Sequence, residues 1–180
     1  MIKGNIVLLS ISQKVLLFLL VILILMVTFL IIRIIIINKK IDERIYNLCQ
    51  NKGYTVKKNY DGCDYYIFKD NVIIKLVIAK IPKNSSVTVN SKFTWCLRWG
   101  GKRVGRSYPN MRYMNEIIPF LKLKCDSNVI KLIALYPHTE KIQKYLNESE
   151  IAVVNSGEEI YDYVIINFSD IDSFLVKNKW

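Results

Sequence analysis

Apolar residues run almost without interruption from Val15 to Ile37, and only Thr28 and Arg33 break the run. At about 1.5 Å of rise per helical residue, the 18 residues before Arg33 would measure about 27 Å and all 23 about 35 Å. A bilayer core is about 30 Å thick. A signal peptide has a shorter apolar core than this run, and it ends at a cleavage site of small residues, which this run lacks. The pattern therefore predicts one retained transmembrane helix at residues 15–37.

The predicted helix divides the chain into an N-terminal tail, residues 1–14, and a domain, residues 41–180. Basic residues are in excess on the domain side, where the flank carries Arg33, Lys39, Lys40, Arg44, Lys52, Lys57 and Lys58 against Lys3 and Lys14 in the tail. Cytoplasmic flanks carry an excess of Lys and Arg. We therefore predict a single-pass protein of the cell membrane with its domain in the cytoplasm.

Beyond the membrane run, the pattern predicts alternating strands and helices. A helix over 41–53 either continues the membrane helix or follows a short break, and it ends at Gly53. Strands are predicted at 54–58, 64–68, 72–81, 87–89, 93–99, 129–136 and 151–154, with those at 72–81, 129–136 and 151–154 buried. Further helices are predicted at 110–124, 137–149 with Thr139 as a cap, and 155–168 with a capping box. The order predicts an α/β or α+β domain with a mixed sheet, parallel in its second half.

The net charge of +11 is concentrated in one segment. Residues 71–115 hold nine basic residues and no acid, interleaved with aromatic residues. Because Lys and Arg neutralise phosphates while aromatic rings stack on bases, the segment favours a nucleic-acid surface. Two alternatives remain: a face beside anionic lipid headgroups, and a sheet edge protected by lysines. Trp95 and Trp99 fall on one side of an extended strand, which favours a position in the core or at the membrane interface over stacking on bases.

Several site classes are absent from the sequence. The four cysteines are scattered and the chain has one histidine, which argues against structural zinc and favours buried thiols. No glycine-rich phosphate loop or Ser-His-Asp arrangement is visible. We expect no small-molecule cofactor.

The hairpin "DYYIFKDNVIIKLVIAK" carries the candidate chemistry, with Asp64 beginning one strand and Lys80 ending the next. Metal-dependent phosphodiester cleavage needs carboxylates that hold the ion and a lysine that orients water or offsets charge. The second carboxylate would lie two residues before the lysine, on the same face of its strand. That position is Ile78.

The order of these features resembles the NERD (nuclease-related) domain: Asp64, "VIAK", basic strands with two tryptophans, "YPNMRYMNEI" and "VIKLIALYP". The resemblance covers about residues 41–168. It implies a restriction-endonuclease-like fold, a mixed sheet flanked by helices, with Asp64 as the metal-binding aspartate, Lys80 as the lysine and Glu43 as the acid of the first helix. The family's second acid falls on Ile78, and its Asn-Pro and following Gln appear here as Tyr108-Pro109 and Arg112.

Three functions follow as hypotheses. The favoured one is a membrane-held pseudo-nuclease that binds nucleic acid, DNA rather than RNA, with cleavage lost or weakened. Its binding residues would be Lys83, Lys92, Arg98, Lys102, Arg103, Arg106 and Arg112. The second is an active nuclease using Mg²⁺ or Mn²⁺ with Asp64, Lys80 and either Glu43 or Glu116, of which Glu116 would replace the missing strand acid. The third is a non-catalytic module that binds anionic lipid or a protein partner through its basic face.

Overall fold

A computed structural model describes residues 11–101, 108–147 and 150–177. The first element, α1, is one continuous helix over Ile11–Asn51, so the predicted helix at 41–53 continues the membrane run. This helix is long and apolar enough to cross a membrane. The hydroxyl of Thr28 bonds to backbone carbonyls three and four residues earlier, which satisfies that polar group within the helix.

The helix ends where the sequence predicted. Gly53 has a φ of +72°, a left-handed conformation that glycine adopts without strain, and the Tyr54 N–H donates to the Cys49 carbonyl at 2.8 Å. The described chain divides into two compact units, one ending at Asn47 and the other beginning at Leu48.

The second unit is built mainly of strands. They are β1 Thr55–Tyr60, β2 Cys63–Lys69, β3 Val72–Lys80, β4 Ser85–Ser91, β5 Thr94–Trp99, β6 Asn110–Tyr113, β7 Val129–Tyr136, β8 Lys141–Asn147, β9 Glu150–Val154, β10 Glu159–Ile160 and β11 Tyr163–Asn167. Its helices are α2 Ile118–Leu121 and α3 Ile171–Lys177, with 3₁₀ turns at Asn115–Ile117 and Phe168–Asp170.

These strands form two mixed sheets. The first sheet has the order β1-β2-β3-β7-β11-β10, and β7 runs parallel to both β3 and β11. The second sheet has the order β6-β5-β4-β8-β9, with β4 and β8 parallel. The predicted mixed sheet with parallel pairing after the first strands is therefore confirmed, but it is accompanied by a second sheet.

The principal core lies between the two sheets. Apolar side chains of the first sheet (Ala79, Ile133, Ile165) and of the second (Val87, Leu97, Ile142) belong to one buried cluster. The other face of the first sheet is buried as well, at Ile74, Leu76, Leu132 and Ile166. The near-continuous apolarity of β3 and β7 reflects this burial on both faces, as the sequence predicted.

The predicted helix over 110–124 is wrong for most of its length. Residues 110–113 form β6, and only Ile118–Leu121 are α-helical. Pro119 lies in the first turn of that short helix. A proline fits the first turn but removes a hydrogen bond from a helix interior, so a helix through residue 119 from further upstream is disfavoured.

The predicted helices over 137–149 and 155–168 are also wrong. Residues 141–147 form β8, and the hydroxyl of Thr139 donates to the Ser85 carbonyl at 2.7 Å instead of capping a helix. Ser156 Oγ accepts a bond from the Asn167 N–H at 2.9 Å, so the expected capping box does not form. In the described residues, the sheets pack on each other where flanking helices were expected.

The segment at 151–154 is a strand, but it is not buried as predicted. It belongs to β9, the edge of the second sheet, where Ile151 is 47% exposed and Val153 is 65% exposed. Burial depends on the position of a strand in the sheet order, and the four apolar residues at 151–154 do not determine that position.

Candidate functional site

The structure brings Asp64 and Lys80 to neighbouring strands, since Asp64 is the second residue of β2 and Lys80 ends β3. Regular pairing of these strands stops at Tyr65 and Leu76. Beyond that pair, Asp64 Oδ2 accepts a hydrogen bond from the Ile78 N–H at 2.7 Å. The carboxylate thus takes the place of a backbone acceptor and prolongs the contact between the two strands.

This arrangement fits a divalent cation poorly. Mg²⁺ is held by one or two carboxylates with waters in strict octahedral geometry, and Mn²⁺ also prefers oxygen ligands. One oxygen of Asp64 is engaged by the Ile78 N–H, and the Ile78 side chain offers no ligand atom. Among the described residues, no group of three or more His, Cys, Asp or Glu side chains is arranged to hold a metal.

The other two candidate carboxylates, Glu116 and Glu43, each have a basic partner. Arg112 binds Glu116 with two bonds of 2.7 and 2.8 Å, in bidentate geometry. Burial alone would raise the pKa of Glu116, but the hydrogen bonds from Arg112 outweigh it and lower the pKa. Glu43 lies on α1 and pairs with Lys39 at 3.8 Å.

The predicted basic surface is divided by the fold. Lys92, in the turn between β4 and β5, pairs with Asp162 at 3.1 Å. Arg112 is the register partner of Leu97 and therefore lies on the core side of the second sheet, where it pairs with Glu116. Arg98 lies on the opposite side of that sheet, and Lys83 is exposed in the loop between β3 and β4.

The remaining predicted binding residues, Lys102, Arg103 and Arg106, lie outside the described residues. The described basic residues of the segment do not form one continuous face.

Two buried lysines are the least expected feature of the first sheet. Lys75 on β3 and Lys131 on β7 are register partners, and both are buried. Lys75 pairs with Asp61 at 2.5 Å. Burial would lower the pKa of Lys75, but the bond to Asp61 raises it above its usual value. Lys75 therefore does not belong to an exposed basic surface.

Lys131 anchors the chain that follows α2. Its ammonium donates to the carbonyls of Leu121 and Leu123, both at 3.0 Å, and lies 3.3 Å from Asp162. It also lies 4.4 Å from the centre of the Tyr163 ring, at the range of a cation–π contact. Burial would raise the pKa of Asp162, but the bonds from Lys92 and Lys131 lower it. These contacts stabilise the fold.

The outer face of the second sheet, the side away from the principal core, carries an open cleft of about 650 Å³. Its lining residues are Asn90, Cys96, Arg98, Met111, Tyr113, Tyr145, Leu146 and Asn147. Cys96 lies buried in the floor, whereas Met111 and Tyr113 are exposed on β6. Among the described residues of this lining, Arg98 is the one with a charged side chain. An aromatic-lined cleft with one guanidinium suits a ligand with flat rings and a negative charge.

No protein-family model, no curated protein and no solved structure matches this chain. The geometry of its own residues therefore carries the functional argument.

Sequence reasoning missed the cleft because it placed β6 and β8 in helices. Read at a period of two, "NMRY" puts Met111 and Tyr113 on one face, and "QKY" does the same for Gln143 and Tyr145. Trp95, in contrast, is buried in the core, 6.1 Å from the Tyr163 ring, as its strand position predicted. All four cysteines are free; the predicted burial is confirmed for Cys49, Cys63 and Cys96, but Cys125 is half-buried.

Proposed function

We propose that this protein is a membrane-anchored module that binds nucleic acid without cleaving it. The observation that carries the absence of cleavage is the hydrogen bond from the Ile78 N–H to Asp64. The acid expected to hold a metal has a structural partner, and an isoleucine stands where the second acid would be. Loss of a carboxylate ligand weakens a cation site strongly, because no negatively charged ligand then compensates for the water that the ion loses on binding.

Binding is supported by the charge of residues 71–115, which have no acidic residue. The fold pairs Lys92 and Arg112 with carboxylates from elsewhere in the chain, but Arg98 faces an open cleft and Lys83 is exposed. Cations at an open surface release counterions from a phosphate backbone when they bind it. DNA is favoured over RNA as the ligand.

The anchor in this proposal is the apolar part of α1, at residues 15–37. Lys39 and Lys40 follow it on the domain side and are exposed. Their charge supports a cytoplasmic domain, because basic flanks are retained on that side. Contact of these two lysines with anionic headgroups would strengthen the attachment.

We also propose that the domain descends from a nuclease-related domain, which it resembles. Asp64 and Lys80 lie on adjacent antiparallel strands, an arrangement in keeping with a hairpin of that type. On this proposal, the domain has the restriction-endonuclease-like core in a degenerate form. The lysine remains while the cation site is gone.

The test uses the full chain in nanodiscs of zwitterionic phosphatidylcholine, so that the membrane contributes no negative charge. Fluorescence anisotropy with labelled single- and double-stranded DNA measures Kd at 50 and 200 mM salt. With two or three phosphate contacts, Kd should rise about 5- to 50-fold across this range. Undetectable binding at 50 mM salt contradicts the proposal.

A second candidate function is binding to anionic lipid, favoured by the exposed lysines next to the apolar run. It predicts that nanodiscs containing phosphatidylserine compete with DNA, because the exposed cations of residues 71–115 would contact the headgroups as well. Equal DNA affinity in both kinds of nanodisc would contradict it.

A further inference from the structure

The outer face of the second sheet is organised in rows, because register partners on neighbouring strands share a face. One row crosses β6, β5, β4 and β8 and consists of Met111, Arg98, Ser86 and Lys141. The next consists of Tyr113, Cys96, Thr88 and Gln143. Tyr145 follows Gln143 on the same face of β8 and lines the cleft.

The side chains of this face are mostly smaller on the two central strands, β5 and β4, than on the flanking strands, β6 and β8. Ser86, Thr88 and Cys96, on the two central strands, have small side chains and are buried. Tyr113 stands on one side and Tyr145 on the other, separated by three strand spacings of about 4.8 Å and by a two-residue step along β8, or about 16 Å in all. Two rings this far apart cannot enclose one base, but each can support a different base of the same strand.

The two ends of this face differ in charge. Arg98 and Lys141 lie in the same row, at one end of the face. The other end carries Asn147, whose side-chain amide holds Glu150 at 2.9 Å. A negatively charged backbone is therefore favoured at the row of Arg98 and is disfavoured near Glu150.

We propose that this face binds single-stranded nucleic acid, with Tyr113 and Tyr145 stacking on two bases and with Arg98 and Lys141 contacting the phosphates. The inference rests on the proposed function and names its surface and ligand class. Stacking on a side chain requires a base whose flat face is accessible, and in a duplex both faces are covered by neighbouring bases. The open cleft, with a volume of about 650 Å³, has room for unstacked bases.

The test compares a 12-nucleotide thymidine strand with a hairpin duplex of the same charge, using the full chain in phosphatidylcholine nanodiscs. The variants Tyr113→Leu and Tyr145→Leu retain apolar bulk but lose the ring. Each should weaken binding of the single strand by about 5- to 150-fold, the range of one base–aromatic stack. Arg98→Gln should lower the slope of log K against log salt by about 0.7, the value for one phosphate of a single strand.

The matched control is Tyr60→Leu, because Tyr60 is 49% exposed on the first sheet and Tyr113 is 52% exposed on the second. Its affinity should equal that of the unmodified chain. Near-ultraviolet circular dichroism checks that each variant retains its packing. If a tyrosine variant fails to fold, crosslinking of the unmodified chain to strands containing 5-iodouracil replaces it, and the crosslinks should map to residues 110–114 and 141–147.

The outcomes separate the two proposals. No binding of either DNA by the unmodified chain overturns the proposed function. Three results would overturn this inference and leave the proposed function standing. They are full binding by the Tyr113 and Tyr145 variants, tighter binding of the duplex than of the single strand, and crosslinks outside residues 110–114 and 141–147.

Discussion

Replacing Asp64 distinguishes a structural carboxylate from a metal ligand. In Asp64→Ala, the Ile78 N–H loses the oxygen that lies 2.7 Å from its nitrogen. An N–H left without a partner in the interior destabilises a fold by about 1–3 kcal/mol. Both residues are half-buried, so water recovers part of the bond. We therefore expect the free energy of unfolding to fall by about 1–2 kcal/mol, the lower half of that range.

Asp64→Asn is the matched control, since the amide oxygen can still accept from the same N–H. The bond changes from charge-assisted to neutral, which weakens it but leaves no orphaned donor. The expected loss is about 1 kcal/mol or less. Urea unfolding of the full chain in detergent micelles measures both variants through the fluorescence of the buried Trp95.

The same experiment with and without Mg²⁺ or Mn²⁺ completes the argument. A ligand that binds only the folded state raises its stability, by about 1.4 kcal/mol at ten times the Kd. We expect no shift for the unmodified chain. The reasoning is refuted if the Ala variant is as stable as the unmodified chain, or if the cation stabilises the unmodified chain and neither variant.

The remaining predictions concern the buried cations and thiols. Lys131→Met should lower the unfolding free energy by about 2–4 kcal/mol, because the Lys131 side chain is 2% exposed and it binds the carbonyls of the buried Leu121 and the half-buried Leu123. Lys92→Met should lower it by less than about 1 kcal/mol, because Lys92 is 44% exposed; equal losses would contradict the assignment. Since the pKa of Asp162 is lowered from 3.8, its contribution is present above that pH and is lost below it. The stability difference from Asp162→Asn should therefore shrink on acidification below pH 3.8, and a constant difference would count against it. Maleimide should modify the half-buried Cys125 before Cys63, because burial raises the pKa of Cys63 to about 11, as mass spectrometry of the digested chain would show.

The elements that the sequence predicted well are those whose pattern depends on their own residues. The apolar run predicts α1 directly, and Gly53 ends it because glycine tolerates positive φ. The β-branched runs at 72–80 and 129–136 form central strands, since such side chains pack well on a sheet that is covered on both faces. Trp95 follows the alternation of its strand into the core.

The elements that the sequence predicted poorly depend on partners far away in the chain. β8 has mixed polar and apolar residues that suit either a helix or a half-buried strand, and its pairing with β4 and β9 decides between them. β11 becomes a strand beside β7, although its approach contains a helix-cap spacing at Ser156. Local propensity is a weak guide where a sheet edge is available.

The candidate site was predictable in part for the same reason. Hairpin geometry follows from a short connection, so the placement of Asp64 and Lys80 on neighbouring strands could be read from the sequence. The division of the basic residues could not, because it depends on Asp162 and Glu116 meeting Lys92 and Arg112 in space.

Binding without cleavage is the central claim, and one assay tests both halves of it. The full chain in phosphatidylcholine nanodiscs is incubated with an end-labelled single strand, in Mg²⁺, in Mn²⁺ and in chelator. Each sample is then run on a native gel and on a denaturing gel. We predict a retarded band on the native gel in all three conditions and an intact strand on the denaturing gel. Shortened products that disappear with chelator and in Lys80→Ala would contradict the account.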